Sequence, residues 1–467
     1  MIPLTLAEVA AATGGTLHDA DPGTPVTAPA FSDSRAVRPG GLFVAVAGER
    51  VDGHDFGSAV VEAGAAAVLA ARPLGVPSVV VDDPVTALGL LARSVHDRLV
   101  AGGLVSIGLT GSSGKTSTKD LLAQVLETAG PTVAPRGSLN TEVGVPVTVL
   151  EADEKTRHLV VEMGARGPGH IAYLCEIAPP RIGVVLNVGA AHAEKFGGPE
   201  STAEAKRELV EAVPAGGVAV LNADDELVMS MEPHSEGRVV TFGRAASADV
   251  RAEELRLDPL GRPSFRLVVP EGNADVQLRL HGAHHVSNAL AVAAVARELG
   301  MPVTDVAAAL SAATPRSRWR MEVTERADGV TVVNDAYNAN PESVRAALEA
   351  VAAMSRGRRT WAVLGEMLEL GAASTAEHER VGRLARRSGV DRLVVVGDGA
   401  RSVHDGALAE GAVDGEESVV VADVPGALEV LLPALRPDDV VLVKASRGVG
   451  LERVADALLG DGPGGRP

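Results

Sequence analysis

The stretch Gly108-Leu-Thr-Gly-Ser-Ser-Gly-Lys-Thr-Ser-Thr-Lys119 follows an apolar run and opens a helical pattern. A strand, a glycine-rich turn and a helix N-terminus together present backbone N–H groups and a positive dipole end to an anion. The pattern predicts a nucleotide-phosphate site formed by Thr110, Gly111, Ser112, Ser113, Gly114, Lys115, Thr116 and Ser117. Lys115 is expected to reach the terminal phosphates, and the Thr116 hydroxyl to hold Mg²⁺. The alternative is a glycine-rich turn without a ligand.

Length, charge and composition limit the class of protein. A chain of 467 residues suggests about three domains. The net charge of −18 and the 2% content of aromatic residues argue against a nucleic-acid partner. No apolar run reaches the ~18 residues that span a bilayer, and no signal peptide is evident. The single Cys175, interpreted as a small buried residue, fits a reducing compartment. We expect a cytoplasmic monomer without a membrane span.

Alternating strand and helix patterns predict an α/β protein of three domains. The first domain is predicted at 1–100, a central P-loop-type domain with a mainly parallel sheet at 101–313, and a C-terminal Rossmann-like domain at 314–467 with a disordered tail at 461–467. Predicted strands are 42–46, 78–81, 104–109, 158–162, 182–186, 217–221, 238–242, 247–256, 264–269, 276–280, 330–334, 360–364, 392–396, 418–421 and 439–443. Predicted helices include 58–70, 84–98, 117–129, 202–213 and 286–299.

Three candidates for chemistry lie near strand ends or a helix start in the central segment. Glu162 ends a buried strand, which favours a Mg²⁺ ligand over a helix cap. His192 follows another strand end and is as often structural as it is a ligand. Ser201 and Glu204 form a capping box that would place Lys206 about one turn into a helix. The dipole there disfavours the ammonium, which suits a lysine that reacts with CO₂ to give a carbamate, although most helix lysines are merely exposed.

The C-terminal segment carries further polar clusters. Asn334-Asp-Ala-Tyr-Asn-Ala-Asn-Pro341 lies between a strand and a helix, where it could cap the helix or hold a ribose. Arg318 lies in a basic stretch that could reach phosphate or simply be a solvated linker. Lys444-Ala-Ser-Arg-Gly448 could bind a substrate carboxylate. Because no Gly-x-Gly-x-x-Gly follows the first strand of this segment, we expect no nicotinamide cofactor.

Taken in order, these motifs resemble those of the Mur ligases, the ATP-dependent amide-bond-forming enzymes of peptidoglycan precursor synthesis. The matching motifs are Thr-Gly-Ser-Ser-Gly-Lys-Thr at 110–116, Glu-Met-Gly at 162–164, His192, Ala-Lys-Arg-Glu-Leu around Lys206, His-His-Val-Ser-Asn-Ala-Leu at 284–290, Ser-Arg at 317–318, Asn-Asp-Ala-Tyr-Asn-Ala-Asn-Pro at 334–341, Leu-Gly-Glu-Met-Leu-Glu-Leu-Gly at 364–371 and Lys-Ala-Ser-Arg at 444–447. The resemblance covers nearly the whole chain. Tyr-Asn-Ala-Asn-Pro and Leu-Gly-x-Met-x-Glu-Leu-Gly are the motifs most specific to the branch that adds D-alanyl-D-alanine.

The resemblance implies a role for each matching residue. The catalytic residues would be Lys115, Lys206, His192 and Glu162. Thr116, Glu162, His192 and a carbamylated Lys206 would bind two Mg²⁺ ions, while Asn288, Arg318 and Asp335 would contact the adenine, phosphates and ribose of ATP. Substrate contacts would come from Ser34, Arg35, Asp52 and His54 in a uridine-nucleotide-binding first domain, from Asn140, Thr141 and Glu142 in the central domain, and from Tyr337, Asn338, Asn340, Lys444, Ser446 and Arg447 in the C-terminal domain.

The implied reaction joins D-alanyl-D-alanine to UDP-N-acetylmuramoyl-tripeptide through an acyl phosphate, with ATP and Mg²⁺. One alternative is a sister ligase that adds the diamino acid at the third peptide position. Such enzymes usually carry Asp-x-Pro-Arg in their C-terminal domain, and this sequence does not. A nucleotide-binding scaffold that has lost catalysis is a further alternative. It would lack metal or phosphate ligands, whereas Lys115, Thr116, Glu162, His192 and Lys206 are all present.

Overall fold

A computed structural model describes residues 1–48, 51–189 and 198–460. Among these residues, no helix combines the length and the apolar character required to cross a bilayer. The tail at 461–467 and His192 lie outside the described residues.

The first part of the chain forms a small, mostly parallel sheet. Its elements are β1 (Leu4–Thr5), α1 (Leu6–Thr13), β2 (Thr16–His18), β3 (Pro25–Val26), β4 (Ala28–Phe31), β5 (Gly41–Val44), a 3-10 turn (Gly53–Phe56), α2 (Gly57–Glu62), β6 (Ala67–Ala70), β7 (Ser78–Val80) and α3 (Pro84–Ala101). The sheet order is β2-β7-β6-β5-β4, and β4 to β7 run parallel.

The helix predicted at 58–70 is wrong in its second half. The helix ends at Glu62, Gly64 adopts a φ of +105°, and Ala67–Ala70 is a fully buried strand. A strand buried on both faces is a continuous apolar run, which periodicity cannot distinguish from a buried helix.

The central part forms a nine-stranded sheet within the described residues. Its elements are β8 (Val105–Thr110), α4 (Lys115–Glu127), β9 (Thr132–Val133), α5 (Gly144–Val149), β10 (His158–Glu162), α6 (His170–Ile177), β11 (Ile182–Val185), α7 (Pro199–Glu211), β12 (Val218–Asn222), α8 (Glu226–Met229), a 3-10 turn (Glu232–His234), β13 (Arg238–Gly243), β14 (Val250–Leu257), β15 (Pro263–Val269), β16 (Gly272–Gln277), α9 (His285–Glu298) and α10 (Val303–Ala312).

The order of this sheet is β16-β15-β14-β13-β12-β11-β8-β10-β9, and all neighbouring pairs from β14 to β9 are parallel. The strand predicted at 276–280 begins earlier, at Gly272, because β15 and β16 form a tight hairpin in which Val269 pairs with Gly272. Strand β8 lies between β10 and β11, so the loops that follow these three strands meet at one edge.

The C-terminal part is a second doubly wound sheet. Its elements are β17 (Glu322–Glu325), β18 (Thr331–Asn334), α11 (Pro341–Ser355), β19 (Thr360–Gly365), a 3-10 turn (Gly371–Ala373), α12 (Ser374–Arg387), β20 (Arg392–Val396), a 3-10 turn (Asp398–Ala400), α13 (Arg401–Ala409), β21 (Ser418–Val421), α14 (Val424–Ala434), β22 (Val440–Lys444), a 3-10 turn (Arg447–Val449) and α15 (Glu452–Leu459). The order is β17-β18-β22-β19-β20-β21, and β17 is the antiparallel edge. The predicted α/β class is confirmed.

The apolar cores explain how these sheets are held. One cluster runs from Leu6 and Leu88 near the N-terminus to Leu159 and Leu209 of the central part, so the first two parts share a core. The C-terminal sheet has a separate cluster on each face, as a parallel sheet requires. Cys175 is buried in the shared core, and burial raises the pKa of its thiol to about 12. This confirms its interpretation as a small buried residue.

Candidate active site

The glycine-rich loop after β8 forms the floor of a cleft. Gly114 adopts a φ of +79°, and a Cβ there would lie 2.8 Å from Asn288 Oδ1, so both the backbone and the close approach require glycine. Helix α4 begins at the next residue, Lys115, whose Nζ donates to Gly111 O at 2.6 Å. Burial lowers the pKa of Lys115, and the negative charge of Glu162 opposes that shift. The loop therefore has the conformation and the cation that a phosphate site needs.

Glu162 lies at the carboxyl end of β10, next to this loop. Its side chain is 1% exposed, and Oε1 accepts a hydrogen bond of 2.8 Å from Asn140 Nδ2. The second oxygen, Oε2, is buried without a hydrogen-bond partner in the described part of the chain. Thr116 shares a hydrogen bond of 2.8 Å with Ser138 Oγ. A buried carboxylate oxygen without a partner is unusual and indicates that a cation belongs beside it.

Lys206 reaches the same cleft from α7 and is 4% exposed. Burial, followed by the positive charge of Lys115, lowers its pKa to about 7. The predicted capping box is wrong, because the helix begins at Pro199 after Gly198 and has no side-chain cap. Lys206 is therefore two turns into the helix, and burial rather than the helix dipole accounts for its lowered pKa.

The ends of β18 and β22 form the opposite wall. Their register pairs Asn334 with Val443, which brings the next residues together: Lys444 Nζ donates to Asp335 Oδ2 at 2.5 Å. Lys444 also donates to the carbonyl of Asn338 at 3.0 Å. The side chain of Asp335 has its other oxygen occupied by the amide of Met321. Both oxygens of the Asp335 carboxylate are therefore held in place.

Arg320, which sequence reasoning missed, joins the two walls. Its Nη2 donates to Ser138 Oγ at 2.9 Å, and its guanidinium lies 4.1 Å from the ring centroid of Tyr337. The residues on either side of it, Trp319 and Met321, have φ values of +59° and +51°, a left-handed conformation that is strained for such side chains. This backbone directs Arg320 into the cleft. The sequence offered a basic stretch but no signal to separate Arg320 from its neighbours.

Together these residues line a cleft of about 720 Å³ between the central and C-terminal sheets. Of the residues predicted to act on nucleotide, metal or substrate, those that line it are Ser112, Ser113, Gly114, Lys115, Thr116, Ser117, Asn140, Thr141, Glu142, Glu162, Lys206, Asn288, Asp335, Tyr337, Asn338, Asn340 and Lys444. The sequence did not single out Ser138, Asn187 and Arg320 as site residues, and these also line it.

Comparison with known proteins assigns the family. Three family models match the chain: "Mur ligase family, catalytic domain" at 31–95, "Mur ligase middle domain" at 109–296 and "Mur ligase, glutamate ligase domain" at 319–447. The UDP-N-acetylmuramoyl-tripeptide–D-alanyl-D-alanine ligase of Mycobacterium tuberculosis is 51% identical over 99% of this chain and 98% of its own length. The chain belongs to the Mur ligase family.

Solved Mur ligase structures agree with this assignment and confirm the three-domain Mur ligase fold. A crystal structure of MurF from Acinetobacter baumannii superposes with a TM-score of 0.87 at 31% identity, covering 98% of this chain and 99% of that one. MurF from Thermotoga maritima in complex with ADP superposes with a TM-score of 0.79 at 31% identity, covering 93% and 98% of the two chains. The boundaries predicted at 100 and 313 remain predictions.

Several residues that the Mur ligase resemblance implicated do not line the cleft. Arg318 is exposed and lies 5.4 Å from the Trp319 ring, while Arg447 stacks on that ring at 4.2 Å. Ser446 accepts a hydrogen bond of 2.9 Å from Leu368 N. Thr110 is fully buried at the end of β8. Their contacts to ligands remain predictions.

The residues of the first domain that were predicted to contact substrate also lie away from this cleft. Ser34 is half-buried, and Arg35 pairs with Asp33, which lowers the pKa of that carboxyl to about 2. Asp52 accepts from the His54 amide and from His54 Nδ1 at 2.6 Å, and these bonds lower its pKa to about 2. The amide of Ala71 donates to His54 Nε2 at 2.9 Å, so both ring nitrogens of His54 are held by neighbours in the first part of the chain. Asp52 and His54 therefore brace their loop.

Two histidines lie at the start of α9, about one turn before Asn288 in the same helix. Burial lowers the pKa of His284 to about 4 and holds the pKa of His285 well below its ordinary value, so both rings are neutral at pH 7. The rings lie 4.2 Å apart, and Asn288 Nδ2 is 3.3 Å from His285 Nδ1. With its Nδ2 directed to His285, Asn288 is oriented beneath the phosphate loop. This gives His285 a structural role that the sequence did not suggest.

Lys206 predicts a pH-dependent stability. Because its pKa falls in the folded state, the burial penalty is complete below pH 7 and disappears as the pH rises toward the ordinary value of 10.5. Lys206→Met is therefore expected to raise the free energy of unfolding by a few kcal/mol at about pH 6 and by less at about pH 9. Thermal unfolding in CO₂-free buffer measures this difference, and a gain independent of pH would contradict it.

Arg320 and Arg318 provide a matched pair for the phosphate contact. Arg320→Ala is expected to lower kcat/KM for ATP by about 10²-fold, because a charge-assisted contact in a desolvated cleft is lost. Arg318→Ala removes the same charge from the exposed surface and is expected to change kcat/KM by less than about threefold. Steady-state measurements of kcat/KM for ATP in both variants show which of the two arginines contacts the phosphates. The opposite ranking would assign the phosphate contact to Arg318, as the sequence predicted.

Proposed function

We propose that this Mur ligase joins D-alanyl-D-alanine to UDP-N-acetylmuramoyl-tripeptide, coupled to the conversion of ATP to ADP and phosphate. The observation that carries this proposal is the cleft itself, where Lys115, Lys206 and the unpartnered oxygen of Glu162 face the polar ends of β18 and β22. The relatives that cover nearly the whole chain are named for this reaction. The sister ligase that adds a diamino acid is not favoured by those relatives.

The chemistry follows from the low reactivity of a carboxylate. An oxygen of the tripeptide's terminal carboxylate attacks the γ-phosphorus of ATP, and ADP leaves. The amine of D-alanyl-D-alanine then attacks the carbonyl carbon of the acyl phosphate, loses a proton, and expels inorganic phosphate. Both steps bring anions together, so positioning and charge neutralisation provide most of the catalysis.

The protein groups divide this work between the walls of the cleft. The loop from Thr110 to Ser117 is proposed to cradle the phosphates, with Lys115 on the terminal one, and Asn288 is proposed to contact the adenine; Ser112 to Ser117 and Asn288 line the cleft. Arg320 approaches from the opposite wall and completes the phosphate contacts, with Arg318 as the sequence-based alternative. Asp335, fixed by Lys444, is proposed to hold the ribose.

Mg²⁺ fits the donors beside the loop. Glu162 offers a buried carboxylate oxygen without a partner, and Thr116 offers a hydroxyl. The described ranges hold no group of three or more His, Cys, Asp or Glu side chains arranged for a metal, which suits an ion that keeps water or phosphate oxygens as ligands. When bound, Mg²⁺ would offset the charge of the phosphate groups. His192, the third predicted ligand, lies outside the described residues.

We also propose that Lys206 is carbamylated. Carbamate formation needs the free amine, and a pKa of about 7 leaves much of this lysine neutral at physiological pH. Burial is the main cause of the lowered pKa of Lys206, and repulsion by Lys115 is the second. The carbamate would carry a negative charge beside Lys115 and so replace that repulsion with attraction. Its oxygens would resemble those of an aspartate in their capacity to bind a second cation.

The remaining substrate contacts are assigned by the side of the cleft on which they lie. Asn140, Thr141 and Glu142 are proposed to hold the sugar-peptide, and Tyr337, Asn338 and Asn340 the incoming dipeptide. Ser34, Arg35, Asp52, His54, Ser446 and Arg447 keep their predicted substrate contacts as proposals. The cytoplasmic location and the monomeric state also remain proposals.

Phosphate release with one component omitted at a time tests the function. The purified protein is incubated with ATP, Mg²⁺, UDP-N-acetylmuramoyl-tripeptide and D-alanyl-D-alanine. We expect release to require all four, and the product mass to increase by one dipeptide minus water. Release that needs a free diamino acid and the dipeptide-stage nucleotide instead would replace this function with that of the sister ligase.

A further inference from the structure

A second lysine of α4 is buried outside the cleft. Lys119 lies one turn after Lys115 and is 2% exposed, but it is not among the described residues that line the cleft. Its Nζ donates to the carbonyl of Pro135 at 2.7 Å and pairs with the neighbouring carboxylate of Asp120. A buried ammonium is tolerated when partners satisfy it, so this side chain is fixed in position.

The carbonyl that Lys119 holds belongs to the loop joining β9 to α5, residues 134–143. Two side chains of this loop reach the catalytic groups: Ser138 shares a hydrogen bond with Thr116, and Asn140 donates to Glu162. Ser138 also accepts from Arg320 of the C-terminal part. One loop therefore sets the position of three groups that the proposed reaction needs.

The two ends of this loop are held differently. Near α5, the amide of Gly164 donates to Asn140 O at 2.9 Å. Because Gly164 lies two residues after Glu162, this bond holds the loop beside the end of β10. Near β9, among the described residues, the bond from Lys119 to Pro135 O is the one hydrogen bond that reaches residues 134–137. Gly137 adopts a φ of +65°, so the backbone turns between the two attachments.

We propose that Lys119 is a positioning residue that holds the 134–143 loop against α4 and so orients Thr116 and Glu162 through Ser138 and Asn140. The inference rests on the proposed function for its effect on catalysis, but the contact itself does not depend on it. Without Lys119 the Pro135 carbonyl loses its donor, and the loop keeps only its attachments at residues 138–142 among the described residues. The hydroxyl of Thr116 and the carboxylate of Glu162 then lose their fixed orientation.

Hydrogen–deuterium exchange of the ligand-free protein tests the contact directly. The variant Lys119→Met/Asp120→Asn removes both buried charges, so neither is left unpaired. We expect the amides of residues 136–142 to exchange about tenfold faster, in line with the loss of a buried hydrogen bond. ADP is then titrated into the double variant and into the unaltered protein, with and without Mg²⁺. We expect Mg²⁺ to strengthen ADP binding several-fold less in the variant than in the unaltered protein. The KM for D-alanyl-D-alanine should stay within about twofold.

Two matched variants separate positioning from general destabilisation. Asp120→Asn keeps the bond to Pro135 and should leave loop exchange unchanged. Val125→Ala removes a fully buried side chain from the same helix and should lower the melting temperature without loosening the loop. If the double variant does not fold, Lys119→Gln is tested instead. Glutamine is shorter than lysine, so its amide can pair with Asp120 but cannot reach Asp120 and the Pro135 carbonyl together.

Unchanged exchange at 136–142 in a folded Lys119 variant would overturn the proposal, as would equal loosening in Val125→Ala. The exchange and ADP measurements need neither peptide substrate. If the unaltered protein showed no ligase activity, the proposed function would be refuted. The contact between Lys119 and the 134–143 loop would still be tested by the exchange and ADP measurements.

Discussion

Lys206→Ala is expected to lower kcat by about 10³-fold or more, the largest effect of any single substitution in the cleft. The side chain is 4% exposed, with a pKa of about 7, and its proposed carbamate would supply negative charge beside Lys115. Alanine removes the amine and leaves a small space next to the loop. The measurement is phosphate release at saturating substrates, together with thermal unfolding to confirm that the variant is folded.

Chemical rescue distinguishes a carbamate from a simple cation at position 206. Short carboxylic acids such as formate or acetate should restore part of the activity of Lys206→Ala, because a carboxylate can occupy the place of the carbamate. Lys206→Arg keeps a positive charge but cannot be carbamylated, and it should be as inactive as the alanine variant. Full activity of Lys206→Arg, or a folded alanine variant that no acid rescues, would contradict the carbamate.

Lys115→Ala is expected to lower kcat by about 10²–10³-fold while changing stability by only about 1 kcal/mol. Within the described residues, the Lys115 Nζ donates one hydrogen bond, to Gly111 O, and the side chain is half-buried, so folding loses little when it is removed. The loss falls instead on phosphoryl transfer, where the ammonium offsets charge on the terminal phosphate.

The exposed Lys155 provides a control for this prediction. Lys155→Ala removes the same charge from the surface of the central part and should leave kcat unchanged. A folded Lys115→Ala variant that retains more than about a tenth of the activity would contradict a phosphate role for Lys115. An unfolded variant would contradict the small expected change in stability and would not test the phosphate role.

How much the sequence predicts depends on whether a residue's position follows from local pattern. Glu162 and Lys115 were found because a strand end and a glycine-rich turn fix their places along the chain, and parallel strands bring such ends together. The sequence places Lys206 in a helix, as the structure does, but for the wrong local reason, since that helix starts at Pro199 and burial lowers the pKa of Lys206. The sequence pattern predicts where the helix with Lys206 lies along the chain, but it does not predict that the Lys206 side chain is buried.

Arg320 and Ser138 show what the sequence could not predict. Arg320 points into the cleft because Trp319 and Met321 adopt left-handed backbone angles, which no propensity favours in these residues. Ser138 lies in a loop without a motif, and its contacts to Thr116 and Arg320 join residues far apart in the chain. The helix predicted at 58–70 failed for a related reason, because tertiary burial in a sheet decides the state of an apolar run such as Ala67–Ala70.

The central claim is that the cleft activates a carboxylate by phosphorylation, and an isotope transfer tests it most directly. UDP-N-acetylmuramoyl-tripeptide is prepared with ¹⁸O in its terminal carboxylate and incubated with ATP, Mg²⁺, D-alanyl-D-alanine and the protein. The account predicts that each inorganic phosphate released carries one ¹⁸O from that carboxylate, because the carboxylate oxygen bonds to the γ-phosphorus and leaves with it. Phosphate free of the label, or label found in AMP, would contradict the acyl phosphate.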